Sequence, residues 1–249
     1  IVDPSSSGAN ITGNNVSGRY AGIYVALGFY PYFIGSEKLT KNVRWSSDLP
    51  YIIEYDYCYG YFAKPERYLT VGEGATLTIA PGTVIKFAGD GPAGEKGGKI
   101  VVKGNLIADG TPDKKIVFTS INGTWGGIIF ERNSSGKLDN VIIRHAGWYW
   151  TSYGRAAIDV YTSKLSITNS EISNCSSDGI YVYSASPLIR GNLIKDCKNG
   201  IALSGSSNPT ITNNIISSNR FYQIIVDPSS SGANITGNNV SGRYAGIYV

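Results

Sequence analysis

Residues 167–172 read ITNSEI, 189–194 IRGNLI, 211–216 ITNNII and 235–240 ITGNNV; their first isoleucines lie 22, 22 and 24 residues apart. Each block is followed by a second apolar run: DGIYV (178–182), NGIAL (199–203), QIIV (223–226) and GIYV (246–249). Within these runs the apolar residues alternate, so Ile180 and Val182 point one way and Tyr181 the other, as in a strand with one buried face. The runs are too short, and too rich in Gly, Asn and Ser, for helices. Three short strands per 22 residues, repeated in register, describe a coil that stacks on the next at ~4.8 Å. A lone coil buries too little apolar surface to offset the ordering of its backbone. Neighbouring coils must supply the strand hydrogen bonds and close the core.

A longer period overlies the short one. IVDPSSSGANITGNNVSGRYAGIYV fills residues 1–25 and again, letter for letter, residues 225–249, an offset of 224. Ile1 corresponds to Ile225, inside the run Ile224-Ile225-Val226, so the sequence opens mid-strand and closes on the strand ending at Val249. Open solenoid ends show unpaired backbone and apolar core. The expectation is an end-to-end interface involving Ile1 and Val2 at one face and Ile247 and Val249 at the other. The natural chain is expected to continue after Val249 with Ala-Leu-Gly-Phe, as it does after Val25.

Composition sets outer bounds. The 249 residues are 42% hydrophobic and only 16% charged, with 31 glycines, which suits a turn-rich all-β chain. A net charge of +4 without a Lys/Arg run does not point to nucleic acid. No 18-residue apolar stretch is present to span a membrane. The absence of Met, with Ile at position 1, leads us to expect that a signal peptide or upstream chain lies outside this sequence.

The chain divides into residues 1–25 as the end of a preceding repeat, 26–68 as irregular aromatic-rich coils, and 69–249 as regular coils of one continuous solenoid. Residues 76–87 (TLTIAPGTVIKF), 99–120 (KIVVKGNLIADGTPDKKIVFTS), 124–130 (TWGGIIF) and 138–147 (LDNVIIRHAG) form a series. With the I-x-x-N-x-I and G-I-x-V units, it resembles right-handed parallel β-helix repeat proteins of the pectate-lyase-like superfamily, including NosD-like repeats. The resemblance covers residues 45–249 and 1–25. It implies a right-handed parallel β-helix of roughly eight to ten coils, of a kind found in large secreted and surface proteins. It says almost nothing about activity.

Polysaccharide-cleaving members of that superfamily carry D-D, G-H-G and R-I-K motifs or calcium-binding Asp clusters, and this sequence has none of those three motifs. Asp159 and Asp178 fall at neighbouring coil positions, with Arg144 and Arg155 in plausible reach, a set suited to acid–base work. Outward polar residues beside a strand are the simpler reading. His145, the single histidine, lacks companions for a metal site and is expected to pack as an ordinary side chain. No cofactor is expected, with bound calcium left open.

Asn192, Asn214 and Asn238, preceded by Ser170, share one coil position. They are expected to form an internal amide ladder rather than a ligand site. Cys175 and Cys197 occupy equivalent positions of adjacent coils and stand either as a disulfide or as two stacked free thiols; Cys58 has no evident partner. Trp148, Tyr149, Trp150 and Tyr153 interrupt the spacing and are expected to bulge as a loop that either folds back over the stack, contacts a neighbour or binds a sugar. Of the N-x-S/T sequons, Asn122 and Asn133 are the better glycosylation candidates. The expected role is a structural repeat of an extracellular fibre or cell-surface protein whose partners are copies of itself, without catalysis. A carbohydrate-binding or polysaccharide-cleaving module is the alternative.

Overall fold

The computed structural model describes residues 23–26, 37–48, 50–54, 68–88, 98–147, 155–244 and 246–249. The described chain is a stack of coils whose strands line up in three wholly parallel sheets, two of nine strands and one of eight. Sheet one runs from Ile23–Ala26 and Tyr51–Glu54 to Asn239–Ser241. Sheet two runs from Glu37–Leu39 to Ile247–Tyr248, and sheet three from Val43–Trp45 to Asn234–Thr236. The chain visits sheets one, two and three in turn, so every strand pairs with strands one coil away and none with its sequence neighbour.

The register follows from the alternating pattern. In sheet two, Ile128 pairs with Ile100 and Ile158, and Ile180 with Ile201. Like residues therefore stack on like along the axis and form one continuous interior column. Early coils fill this interior with rings. Phe87 stacks on Trp125 at 4.0 Å, and the Trp125 indole N–H donates to the Arg144 carbonyl at 2.9 Å. Later coils are aliphatic, with Ile167, Ile189 and Ile211 in one inward row. Close backbone approach fixes one glycine: a Cβ on Gly104 would strike the carbonyls of Gly72 and Ala75.

Two columns of left-handed residues turn the coils. Between sheets three and one stand Asn140, Asn169, Gly191, Asn213 and Gly237, with φ from 49° to 69°. Asn and Gly tolerate this conformation best. The left-handed residue is thus the one before each ladder position, and not the ladder residue itself. The ladder residues keep ordinary backbone and use their amides. Asn192 Nδ2 donates to Asn214 Oδ1 at 3.0 Å, and Asn214 Nδ2 to Asn238 Oδ1 at 2.9 Å. The backbone N–H of Ser170 donates to Asn192 Oδ1 at 3.0 Å.

The second column, between sheets one and two, holds His145, Asn174, Asp196 and Ser218, with φ from 53° to 57°. His145 was expected to pack as an ordinary side chain rather than to bind metal, and it stands at one of these corners. A left-handed corner directs its side chain away from the stack, where it is exposed, with Nδ1 3.4 Å from Thr119 Oγ1.

Candidate functional site

On a one-sided strand the outward residue is normally wet. Sheet two breaks that rule. Its central outward row contains Thr70, Val101, Ile129, Asp159, Tyr181 and Ala202, paired in register, and all six are buried. Asp159 has no exposed surface at all, the least expected place for an ionisable group in this chain.

Backbone amides hold that carboxyl. Oδ1 accepts from the Arg155 N–H at 3.2 Å and Oδ2 from the Ala156 N–H at 3.4 Å. Burial outweighs these two bonds, and with the negative charge of Asp178 nearby it pushes the Asp159 carboxyl up to about 7. Asp178 lies one strand on, two residues before Ile180, where Oδ1 accepts from Asn199 Nδ2 at 2.7 Å. Burial raises its carboxyl as well.

Tyrosines surround the acids. Tyr161 and Tyr183 sit 6.1 Å apart between ring centroids, Tyr181 and Tyr183 6.4 Å apart, and the Arg155 guanidinium lies 5.6 Å from the Tyr181 ring centre. Burial and the adjacent Asp159 charge hold the Tyr161 phenol far above its usual range. The structure therefore brings Asp159, Asp178 and Arg155 together and leaves Arg144 out. Arg144 closes a strand of sheet one, where its Nε donates to Thr119 Oγ1 at 3.4 Å. Sequence reasoning missed the three tyrosines. Their signal was the two-residue step from Asp159 to Tyr161 and from Tyr181 to Tyr183, which puts both pairs on one face. Chemically the cluster holds a proton at Asp159 near neutral pH, but the carboxyl has no path to a solvent-borne substrate in this state.

Cys175 and Cys197 are free, buried thiols, not a bridge. The Cys175 thiol is pushed well above its ordinary range, first by the adjacent Cys197 thiol and then by burial. Asn122 and Asn133 are both exposed, Asn133 at a left-handed corner (φ 68°). Ile247 and Val249 are exposed on the last coil. Ile1, Val2, Cys58, Trp148, Tyr149, Trp150 and Tyr153 lie outside the described residues.

Among the described residues no group of three or more His, Cys, Asp or Glu side chains converges as metal ligands do, and no helix is long and apolar enough to cross a membrane. Residues 126–249 match the family described as a right handed beta helix region. With three parallel sheets wound in one sense, the chain is a right-handed parallel β-helix. No curated protein and no solved structure matches it.

Proposed function

We propose that this right-handed β-helix is a structural repeat of an extracellular fibre or cell-surface protein, extended by stacking copies of itself end to end. One observation carries the reading. The text of residues 225–249 is an exact copy of residues 1–25, and in its second occurrence it forms one coil laid in register on the coil before. Its strands stack on the preceding coil through the Asn238 rung and through Ile235 and Val240, which are partly buried where their equivalents one coil back are fully buried. A second copy stacked on that face completes the burial without any new side chain. A heterologous contact of this kind does not close on itself and builds filaments.

Imaging of the protein as its source makes it tests the proposal. The nine strands of sheet two, Glu37–Leu39 to Ile247–Tyr248, lie within one 224-residue period; at ~4.8 Å per coil they correspond to an axial repeat of about 43 Å. Rods with that repeat are expected; separate compact particles would overturn the reading.

A second reading has its own support in the exposed Arg155 and Tyr183 beside the partly buried Asp178 and Tyr161. Acids and rings on one face suit a carbohydrate. On this reading a polysaccharide panel shows binding or cleavage that Tyr183→Ala, an exposed ring, removes. Neither binding nor cleavage by the unsubstituted chain would dismiss it.

A further inference from the structure

Two sulfurs meet at the corner between sheets one and two. Ser173-Asn174-Cys175 and Lys195-Asp196-Cys197 are two copies of one turn. Ser173 pairs with Lys195 in the sheet, and Asn174 and Asp196 share a left-handed backbone at φ 53° and 54°. Each thiol donates to the carbonyl two residues back: Cys175 to Ser173 at 3.4 Å and Cys197 to Lys195 at 3.2 Å. Both cysteines are buried, yet a cavity of about 320 Å³ opens beside them, lined among others by Asp196, Lys198 and Arg220.

Copied turns hold their side chains parallel, so the separation of the Cβ atoms follows the coil rise of ~4.8 Å. A disulfide prefers Cβ atoms ~3.5–4.5 Å apart and sulfurs at ~2.05 Å. Two metal–thiolate bonds set end to end, each a little shorter than the ~2.3 Å of a zinc–thiolate bond, span somewhat less than ~4.6 Å, close to the rise. We propose that Cys175 and Cys197 form a two-sulfur site that holds one Cu(I) ion in line between adjacent coils.

Ligand type selects the ion. Soft thiolates favour Cu(I), whereas structural zinc takes four ligands, and no third His, Cys, Asp or Glu among the described residues converges on the pair. Charge agrees. On binding, each S–H bond breaks and its proton passes to solvent, each sulfur gives an electron pair to the metal, and nothing is oxidised or reduced. The resulting bis-thiolate carries one net negative charge, and the cavity wall, with Lys198 and Arg220 against Asp196, carries one net positive charge.

The test uses the full chain with Cys58→Ser, reduced and free of oxygen, titrated with Cu(I) in the presence of a competing chelator. The expected result is one Cu(I) per chain, an ultraviolet thiolate-to-copper charge-transfer band, and loss of both thiols to a thiol reagent. Cys175→Ser and Cys197→Ser each abolish the band; serine retains the hydrogen bond to the turn carbonyl, and an unchanged β-sheet circular dichroism spectrum confirms folding. Zn(II) added in place of Cu(I) leaves both thiols reactive. Absence of the band in the Cys58→Ser chain, copper bound equally well by both serine variants, or closure of the pair to a disulfide in place of metal uptake would each overturn the proposal.

Discussion

The coil formed by residues 225–249 and the coils just beneath it use the same letters in different surroundings. Ile211 is fully buried, while Ile235, paired to it one coil on, is half-buried. Asn214 is buried between two other rungs; Asn238 has a rung on one side only. In the outward row of sheet two, Asp159 and Tyr181 are buried, whereas Tyr248, in the same row, is 52% exposed. The interior of the stack is thus dry on both faces of sheet two, whereas among the described residues of the duplicated coil only Val226 and Ser230 are buried. What separates the two regions is the neighbour above, not the residues within.

The two occurrences of the duplicated text differ as well. Ile23–Ala26 pairs with Tyr51–Glu54 in sheet one, whereas Ile247–Tyr248, the same letters, pairs with Ile224–Val226 in sheet two. A strand of alternating apolar residues fits either sheet, and its place is set by the strands before and after it. The second occurrence reaches sheet two because Asn234–Thr236 and Asn239–Ser241 lead through sheets three and one. The first stands in sheet one because Glu37–Leu39 follows it in sheet two. In a tandem array one text can hold only one place, and we expect the second placement, since its whole preceding coil is in register.

The largest effect expected belongs to the dry interior. The Asp159 carboxyl is raised from 3.8 to about 7, so between those pH values the unfolded chain gives up the proton first. Stability therefore falls as pH rises from about 4 to about 7, by at most about 4 kcal/mol, and is flat in this respect above that window. Chemical denaturation across pH should show the decline, and Asp159→Asn should remove most of it, leaving the part that the raised Asp178 carboxyl contributes. An unchanged slope in the variant would mean that another group carries it.

Next come the paired isoleucines. Ile211→Ala should cost about 3 kcal/mol and Ile235→Ala about 1 kcal/mol. In a chain lengthened by a further copy of residues 26–249 after Val249, the cost at Ile235 should rise to that at Ile211. Equal costs in both chains would deny that the duplicated coil is covered by the added copy.

The smallest effect concerns the rungs. Asn214 accepts from the Asn192 N–H and amide at 2.9 and 3.0 Å and donates to the Ile189 carbonyl at 3.0 Å, all in buried surroundings. Asn214→Ala should therefore cost about 2 kcal/mol, and Asn238→Ala about 1 kcal/mol, measured by urea unfolding.

Much of this architecture was legible in the letters. The I-x-x-N-x-I spacing located the inward isoleucines, the Asn rungs and the equivalence of Cys175 with Cys197, because stacking in register makes sequence periodicity a spatial one. Burial outside the stack was not legible. Asp159 reads as an ordinary outward residue because alternation tells which way a side chain points and not what covers it. The exposed corner position of His145 was hidden for a related reason: the corner column of Asn174, Asp196 and Ser218 that shares its backbone is visible only once the coils are aligned in space. The sheet occupied by residues 23–26 was equally hidden, since their letters suit two sheets.

The most direct measurement is solution X-ray scattering from the chain lengthened by a second copy of residues 26–249, beside the original chain. One straight rod of unchanged cross-section and about twice the length is expected. Two bodies of the original length joined by a hinge would contradict it.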